Sequence, residues 1–492
     1  MDEGLVLFGT IAVPLGAALI LMAIPSRYAL AIRIVALAAG AIMFALSVYA
    51  FAAYDYRAGG NQMELRWAWL ENVGFLGKDG VTLHLAVDGV AAPMVLLTGI
   101  VIFAGAMISW KIDIRPKDFF ILLFVLVAGV FGVFVSQDLF FFFFFYEVAV
   151  LPMFILIGVW GSTRREYGAM KLTLMLVAAS VLVWIGIFAV FHEAGRGTFD
   201  LPTLGQIEYS ENFQRLFFPF FLIGFGVLAG LWPFHTWSPD GHVAAPTAVS
   251  MLHAGVLMKL GAFGILRVAM PLLPEGAQFW MPALIVLGTI NAVYGSLSAF
   301  AQRDLKFMVG YSSVSHMGFV LIGLATLNQI GVTGAVLQMF AHGVMTALFF
   351  AMVGAIYDQA HTRDMTVFGG MAKRMPRFVA FFAIAGLASL GLPGLAGFVA
   401  EFHIFVGTFQ TYPIIGVLAV ISAAITAAYV LRLLALAFFG PLNERWAELK
   451  DTTRFETVGA LLLIAFIVFL GVWPDPFIDR IAATVSGIPG VS

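Results

Sequence analysis

Long apolar stretches recur along the chain from Gly4 almost to its C-terminus. The hydrocarbon core of a bilayer requires roughly 20 apolar residues per spanning helix, and the stretches are of that length. They predict fourteen spans, at residues 4–24, 29–53, 89–109, 118–136, 139–160, 169–192, 216–235, 243–268, 278–300, 306–327, 332–358, 376–408, 413–439 and 455–474. The pattern therefore predicts an all-α integral membrane protein with no room for a sizeable soluble domain.

Two connections between these spans are long enough to have structure of their own. Polar and apolar residues alternate within residues 54–88, around 65–70 and again at 82–85. Alternation with a period of two is typical of a half-buried strand, so we expect a small β-hairpin outside the membrane. Residues 193–215 form a second external connection, which is polar and acidic.

Proline and glycine interrupt the seventh and twelfth predicted spans, at Gly230 and Pro233 and at Gly391, Pro393 and Gly394. Broken helices at corresponding places in two halves of a transporter indicate an inverted repeat with an ion site at mid-membrane. Spans 4–8 and 9–13 are the predicted five-helix repeats. The predicted divisions are residues 1–110, 111–275 for the first repeat, 276–440 for the second, and 441–492.

The composition excludes several classes of protein. The chain is 61% hydrophobic and only 11% charged, with a net charge of −2. A nucleic-acid partner would call for a basic face, which this balance does not suggest. The chain has no cysteine, which excludes disulfides and thiolate ligation of zinc or iron–sulfur clusters within it. Any redox cofactor is expected in another chain.

The basic residues predict an orientation. Connections that follow odd-numbered spans, with the adjoining span ends, hold seventeen Lys and Arg residues, against seven on the other side. These seven are Arg57, Arg66, Lys78, Arg196, Arg215, Arg267 and Arg480. Since basic residues accumulate on the cytoplasmic side, we expect both termini on the periplasmic side of a bacterial cytoplasmic membrane.

Three isolated charges, Glu147, Lys259 and Glu401, fall inside predicted spans. An ionisable group at the centre of a membrane helix costs at least ~2.5–3.5 kcal/mol on insertion scales. A buried ion pair or hydrogen bond between helices would explain one such residue. Several such residues along so apolar a chain favour a proton or ion relay.

Histidines in or next to the spans extend this pattern, and they are His235, His242, His253, His316 and His342. Histidine titrates near neutral pH and can pass a proton in either direction, although a lone buried histidine is usually only hydrogen-bonded. Lys306 lies ten residues before His316, about 15 Å along a helix. It could carry a proton inward from the surface, or it could be an ordinary lysine that reaches back to the membrane interface.

Several blocks of sequence resemble the antiporter-like subunits of proton-pumping NADH:quinone oxidoreductase (complex I) and of multisubunit sodium/proton antiporters. They are 139–147 with Pro152, 233–242, 245–247, 304–306, 311–318, 341–343 and 361–364. Within the family the chain most resembles subunit M, which is chain 4 in mitochondrial naming. Its twelfth span ends in Glu401, where the sister subunits L and N carry a lysine. The chain also stops after the fourteenth span, without the long lateral helix of subunit L.

The resemblance implies a set of proton-path residues in this chain: Glu147, Lys259, His316, His342 and Glu401, with Lys306, His235 and His253 as secondary candidates. One element of the family pattern is missing. The family places a lysine seven residues before the histidine that is His235 here, and that position is Leu228. Glu147 thus lacks its usual partner, and His253 fits the pattern of subunit L better than that of subunit M.

The predicted function is a membrane-arm subunit of complex I that couples quinone reduction to proton transport. The resemblance implies L- and N-type subunits as neighbours in the bilayer and no cofactor in this chain, with NADH, FMN, iron–sulfur clusters and quinone in partner subunits. Two alternatives remain. The chain could belong to a cation/proton antiporter, a membrane-bound hydrogenase or a formate hydrogenlyase, or it could be a non-pumping spacer, because Leu228 removes a charge.

Overall fold

The structure is a computed structural model that describes residues 3–77, 80–195 and 197–492. Two of the basic residues in the predicted charge balance, Lys78 and Arg196, lie outside the described residues. The described chain is a helical bundle with one small β-hairpin.

The N-terminal part contains α1 (Glu3–Ala23), α2 (Ala29–Ala53), β1 (Gln62–Leu70), β2 (Val81–Val87), α3 (Ala91–Lys111), α4 (Pro116–Val135), α5 (Leu139–Trp160) and α6 (Arg165–Ala194). The middle contains α7 (Leu201–Leu204), α8 (Glu211–Leu228), α9 (Trp237–Ala244), α10 (Thr247–Leu272), α11 (Pro274–Ala301), α12 (Leu305–Ala325) and α13 (Gln329–Ala360). The C-terminal part contains α14 (Pro376–Ser389), α15 (Ala396–Thr411), α16 (Pro413–Phe438), α17 (Arg454–Val472) and α18 (Asp475–Val485).

Twelve helices of the described chain are long and apolar enough to cross a membrane. The multi-pass membrane architecture expected from the apolar stretches is therefore confirmed. The other two predicted spans are broken: residues 216–235 fall on α8 and the turn before α9, and residues 376–408 fall on α14 and α15. Gly230 at the first break and Gly391 at the second have φ of +78° and +73°, a conformation that side chains disfavour.

The predicted β-hairpin is present. β1 and β2 pair antiparallel, with Leu65 opposite Leu85 and Trp67 opposite Leu83. The hairpin packs against the start of α5, because the backbone N–H of Gln137 donates to the carbonyl of His84 at 2.8 Å. It therefore ties the N-terminal helices to the first of the two predicted repeats.

Two helices occupy the centre of the bundle. The most apolar windows of α10 and α13 are 100% buried, whereas that of α2 is 28% buried. The inner pair carries Lys259 on α10 and His342 on α13. Because protein surrounds both helices, their polar side chains must find partners within the chain or bind internal water.

Two similar clasps close the ends of helix pairs. Before α5, Leu139 N–H donates to Phe199 O and Leu201 N–H to Gln137 O, at 2.8 and 2.7 Å. Before α12, Leu305 N–H donates to Arg363 O and Met365 N–H to Arg303 O, both at 2.9 Å. The side chains of Asp138 and Asp304 cap the helices that follow. The same local structure thus recurs where predicted spans five and ten begin.

Candidate functional site

Lys259 is held at the centre of the bundle by a distortion of its own helix. Residues His253–Leu257 form a π-helical turn in α10, and the N–H of Met258 donates to the carbonyl of His253. Nζ of Lys259 donates to the carbonyl of Ala254 in this turn. It also lies 2.8 Å from Nδ1 of His342. The fully buried lysine therefore has both a backbone acceptor and a titratable partner.

His342 in turn faces His316 of α12. The two rings are 5.3 Å apart between centroids and inclined by 30°. Nδ1 of His316 lies 3.1 Å from Nε2 of Gln338, and its Nε2 lies 3.0 Å from Oγ of Ser389. An amide NH2 group only donates, so Nδ1 accepts this bond and the ring hydrogen belongs on Nε2, where Ser389 accepts it.

Glu401 ends this line of groups. Its Oε1 lies 3.4 Å from Nδ1 of His316. In the state described above both atoms carry lone pairs, and such a contact becomes favourable when a proton lies on one of them. Oε1 is buried with no hydrogen-bond partner among the described residues. The contact is therefore suited to taking up and releasing one proton.

The second helix break is built around this carboxylate. Gly391 lies within the break, and a Cβ atom there would stand 2.8 Å from Oε2 of Glu401. Its backbone conformation also disfavours a side chain. Both constraints require glycine at this position. Glu401, the only charged residue of α15, therefore lies beside the break in the helix.

Lys306 lines a cavity on the face with the excess of basic residues. Its Nζ donates to the carbonyls of Val243 and Ala245, at 3.3 and 2.5 Å. The cavity has a volume of about 490 Å³, and polar residues at its wall include Lys111, Asp358, His361 and Glu456. Lys306 therefore connects this cavity, which we call the vestibule, to the loop that follows α9.

Glu147 stands apart from the line of Lys259, His342, His316 and Glu401. It lies half-buried on α5, and its Oε1 has no hydrogen-bond partner within the described part of the chain. It forms no ion pair with any described residue. Leu228, at the position of the missing lysine, is fully buried at the end of α8. Gly261 of α10 packs directly against the backbone of Leu228.

The two secondary histidines differ in their surroundings. His235 follows the first break, and neither ring nitrogen has a hydrogen-bond partner among the described residues. Its ring meets Tyr294 edge-on at 5.1 Å. His253 instead lies 3.0 Å from His242, measured between the two Nδ1 atoms. Of the two, only His253 is joined to another titratable group by a hydrogen bond.

Sequence reasoning missed the residues that orient the predicted ones. Gln338 and Ser389 hydrogen-bond His316, and neither carries a charge that would draw attention in an apolar span. Gln338 lies four residues before His342 on α13, so helical spacing could have placed it on the same face. Arg267 and Asp88 form a largely buried ion pair at 2.7 Å, and no single segment of sequence indicates that pairing.

A second cluster of titratable groups lies under the β-hairpin, outside the membrane-spanning segments. Burial raises the pKa of Asp138 to about 7, although backbone N–H groups of Phe141, Thr82 and Phe140 favour its ionised form. Burial also opposes ionisation of Asp200, but hydrogen bonds from His84 and Thr203 hold its pKa below the ordinary value. Within the described residues, no three His, Cys, Asp or Glu side chains come together as a metal site.

A helical membrane bundle with two broken helices and a buried line of Lys, His and Glu side chains defines the antiporter-like class of membrane subunits. A family profile described as "NADH:quinone oxidoreductase/Mrp antiporter, TM" matches residues 136–426. The chain is 37% identical over 475 residues to NAD(P)H-quinone oxidoreductase chain 4 1 of Nostoc sp., covering 94% of this chain and 87% of the relative. It is 38% identical over 478 residues to the protein of that name in Synechococcus elongatus, covering 95% and 88%.

Solved structures agree with these relatives. A chain of respiratory complex I from Thermus thermophilus with bound NADH is similar with a TM-score of 0.89 and 26% identity, covering 98% of this chain and 99% of that one. A chain of the Mrp complex from Dietzia sp. has a TM-score of 0.86 at 19% identity, covering 99% and 97%, which shows a shared fold. The chain belongs to this family, among the chain 4 subunits of NAD(P)H-quinone oxidoreductase.

Proposed function

We propose that this chain moves protons as a membrane-arm subunit of an NAD(P)H-quinone oxidoreductase, through Lys259, His342, His316 and Glu401. The observation that carries the proposal is the continuous line of these four groups. Lys259 Nζ is 2.8 Å from His342, the two imidazole rings are 5.3 Å apart, and His316 Nδ1 is 3.4 Å from Glu401. Each group belongs to a different helix.

Protons reach this line from the vestibule at Lys306. A lysine, an imidazole and a carboxylate can each hold or release a proton. In a low-dielectric interior a charge on one group strongly changes the proton affinity of its neighbour. Movement of charge in an adjoining subunit therefore shifts a proton along the line, without any redox chemistry in this chain.

Glu147 has a different part in this proposal. Without a cation at position 228, an isolated carboxylate in apolar surroundings favours the protonated, neutral form. We infer that Glu147 responds to a charge brought by a neighbouring subunit, because it lies half-buried on α5 rather than inside the bundle. The ion pair between Glu147 and a lysine at position 228 is absent from this chain.

The architecture we propose is fourteen spans with inverted repeats at spans 4–8 and 9–13, divided at residues 110, 275 and 440. The matching clasps before α5 and α12 and the breaks at Gly230 and Gly391 support it. The imbalance of basic residues supports periplasmic termini in a bacterial cytoplasmic membrane.

The partners we propose are L- and N-type antiporter-like subunits, with NADH, FMN, iron–sulfur clusters and quinone held by other chains. The identity of 37–38% to oxidoreductase chain 4 proteins favours this assembly over an antiporter complex. The similarity to the Mrp complex rests on the fold, at 19% identity.

The test uses the purified complex in proteoliposomes, comparing proton uptake per electron for the wild type and Lys259→Ala. Lys373→Ala, at an exposed lysine, is the matched control. We expect Lys259→Ala to lower the proton-to-electron ratio or stop coupled turnover, with the control unchanged. An assembled Lys259→Ala complex with unchanged ratio and rate would overturn the proposal and leave the chain as a spacer.

A further inference from the structure

Two histidines from different elements meet in the first predicted repeat. His242 lies on α9 and His253 on the π-helical turn of α10, and both are almost completely buried. Their Nδ1 atoms are 3.0 Å apart. At that distance one hydrogen lies between the two nitrogens, since two hydrogens would collide and two lone pairs would repel. The geometry is that of a shared proton.

The surroundings fix both rings. Oγ of Ser238 lies 3.0 Å from Nε2 of His242. The indole of Trp237 stacks on His253 with centroids 5.2 Å apart, and its Nε1–H donates to the carbonyl of Val227 at 2.9 Å. Val227 is the neighbour of Leu228 in the chain. The indole of Trp237 therefore lies between the histidine pair and the end of α8, where Leu228 occupies the position of the missing lysine.

The pair also lies between the vestibule and the central lysine. Lys306 donates to the carbonyls of Val243 and Ala245, which closely follow His242 in the chain. On the other side, His253 opens the π-helical turn whose Ala254 carbonyl accepts from Lys259. Nε2 of His253 points away from His242 and hydrogen-bonds to no described group. A proton can thus enter at one ring and leave at the other.

We propose that His242 and His253 form a proton-loading pair that takes the place of the charge missing at Leu228. The inference rests on the proposed proton relay and extends it to a site before Lys259. The pair accepts one proton from the Lys306 side, becomes imidazole–imidazolium with a hydrogen between the Nδ1 atoms, and releases one proton from Nε2 of His253 toward Lys259 and His342. One proton arrives and one leaves, so the charge of the pair is restored. Each imidazole is left as its other tautomer, and both tautomers must exchange before the next proton is loaded.

The neighbouring cations give this transfer a direction. Lys259 and Lys306 both act electrostatically on His242, and a positive charge on either lysine repels a proton from this imidazole. Loading of the pair therefore requires a neutral Lys259, and charging of Lys259 follows discharge of the pair. The two sites hold positive charge alternately, which prevents a proton from waiting in both at once.

The experiment compares His253→Leu, His253→Gln and Lys259→Ala in the assembled complex in proteoliposomes. His192→Leu, at an exposed histidine on α6, is the matched control. Proton uptake per electron is measured first. Infrared difference spectra are then recorded during turnover of a complex that contains isotopically labelled histidine. His253→Gln keeps a polar side chain that does not titrate, so it tests proton loading even if His253→Leu fails to assemble.

We expect both His253 variants to lower proton uptake per electron as Lys259→Ala does, to slow transfer by about 10²-fold, and to remove an imidazole band from the difference spectrum. The control leaves both readouts unchanged. Loss of pumping in Lys259→Ala with normal pumping and an unchanged spectrum in His253→Gln would overturn the pair while leaving the relay intact. No effect of Lys259→Ala would instead refute the relay itself.

Discussion

Nζ of Lys259 lies 2.8 Å from Nδ1 of His342, with both side chains fully enclosed by protein. A lysine ammonium can only donate, so Nδ1 of His342 is the acceptor when the lysine is charged. When the lysine is neutral, its nitrogen can accept a hydrogen from the imidazole instead. The two residues therefore exchange donor and acceptor roles with the position of one proton, which a merely structural ion pair would not do.

Replacement of Lys259 by arginine separates charge from proton transfer. Arginine keeps a positive charge but does not release its proton in proteins. We expect Lys259→Arg to slow proton uptake by this subunit by about 10²-fold or more, as measured with a pH-sensitive dye in proteoliposomes. Uptake at the wild-type rate would mean that Lys259 acts as a fixed charge.

Gly391 controls the position of Glu401. In Gly391→Ala the new Cβ meets Oε2 of Glu401 at 2.8 Å, and the positive φ adds strain of about 1–2 kcal/mol. Gly394→Ala is a control, because its φ is +90° and nothing lies within 4 Å of the added atom. We expect both variants to lower the thermal midpoint of the complex, and only Gly391→Ala to reduce proton uptake. Equal loss of uptake in both would assign the effect to backbone strain.

Arg267 near the end of α10 and Asp88 just before α3 form a largely buried ion pair that links these two helices. Removing one partner of such a pair leaves an unpaired charge and costs about 3–5 kcal/mol. Arg267→Met is expected to lower the thermal stability of the complex strongly. Arg115→Met, which breaks the exposed pair with Asp118, should cost about 0–1 kcal/mol. Similar midpoints for the two variants would contradict this difference.

Asp138 makes the stability of the hairpin face depend on pH. Its pKa is about 7 in the folded chain, against about 3.9 in an unfolded one. Between these values the unfolded chain releases a proton that the folded chain keeps, so stability falls as pH rises through this window. An amide in place of this carboxyl group would have no proton to lose and would keep an acceptor for the helix cap.

We therefore expect Asp138→Asn to stabilise the complex at pH 8 by roughly 1–3 kcal/mol and to have little effect near pH 4. The measurement is the thermal midpoint of wild type and variant across this range. Asp118→Asn, at an exposed carboxylate in the first turn of α4, is the control. A difference that stays constant with pH would refute the titration of Asp138.

The sequence predicted the features that depend on the local pattern of residues and on the energetic cost of burying a charge. Apolar length located the spans, and proline with glycine located both breaks, because each acts within a few residues. The energetic cost of a buried charge singled out Lys259 and Glu401. The roles assigned to these residues and to His316 and His342 stay predictions until the variants are measured.

Contacts between distant segments could not be read from one sequence. Gln338 and Ser389 are ordinary polar residues until the fold brings them to His316. The meeting of His242 and His253 also depends on the π-helical turn of α10, which no local signal indicated. Leu228 indicated that a charge was missing, but only the packing of Trp237 between α8 and His253 shows where the chain could make up for it.

The clasps before α5 and α12 have a consequence for biogenesis. Each joins a residue at a helix start to a segment about 60 residues later, so each can close as soon as that segment leaves the ribosome. The helix pair α5 and α6 can therefore close its own clasp in the insertion machinery before the second half of the chain is made. A clasp left open would then mark an insertion error in α5 or α6 before the second clasp can form.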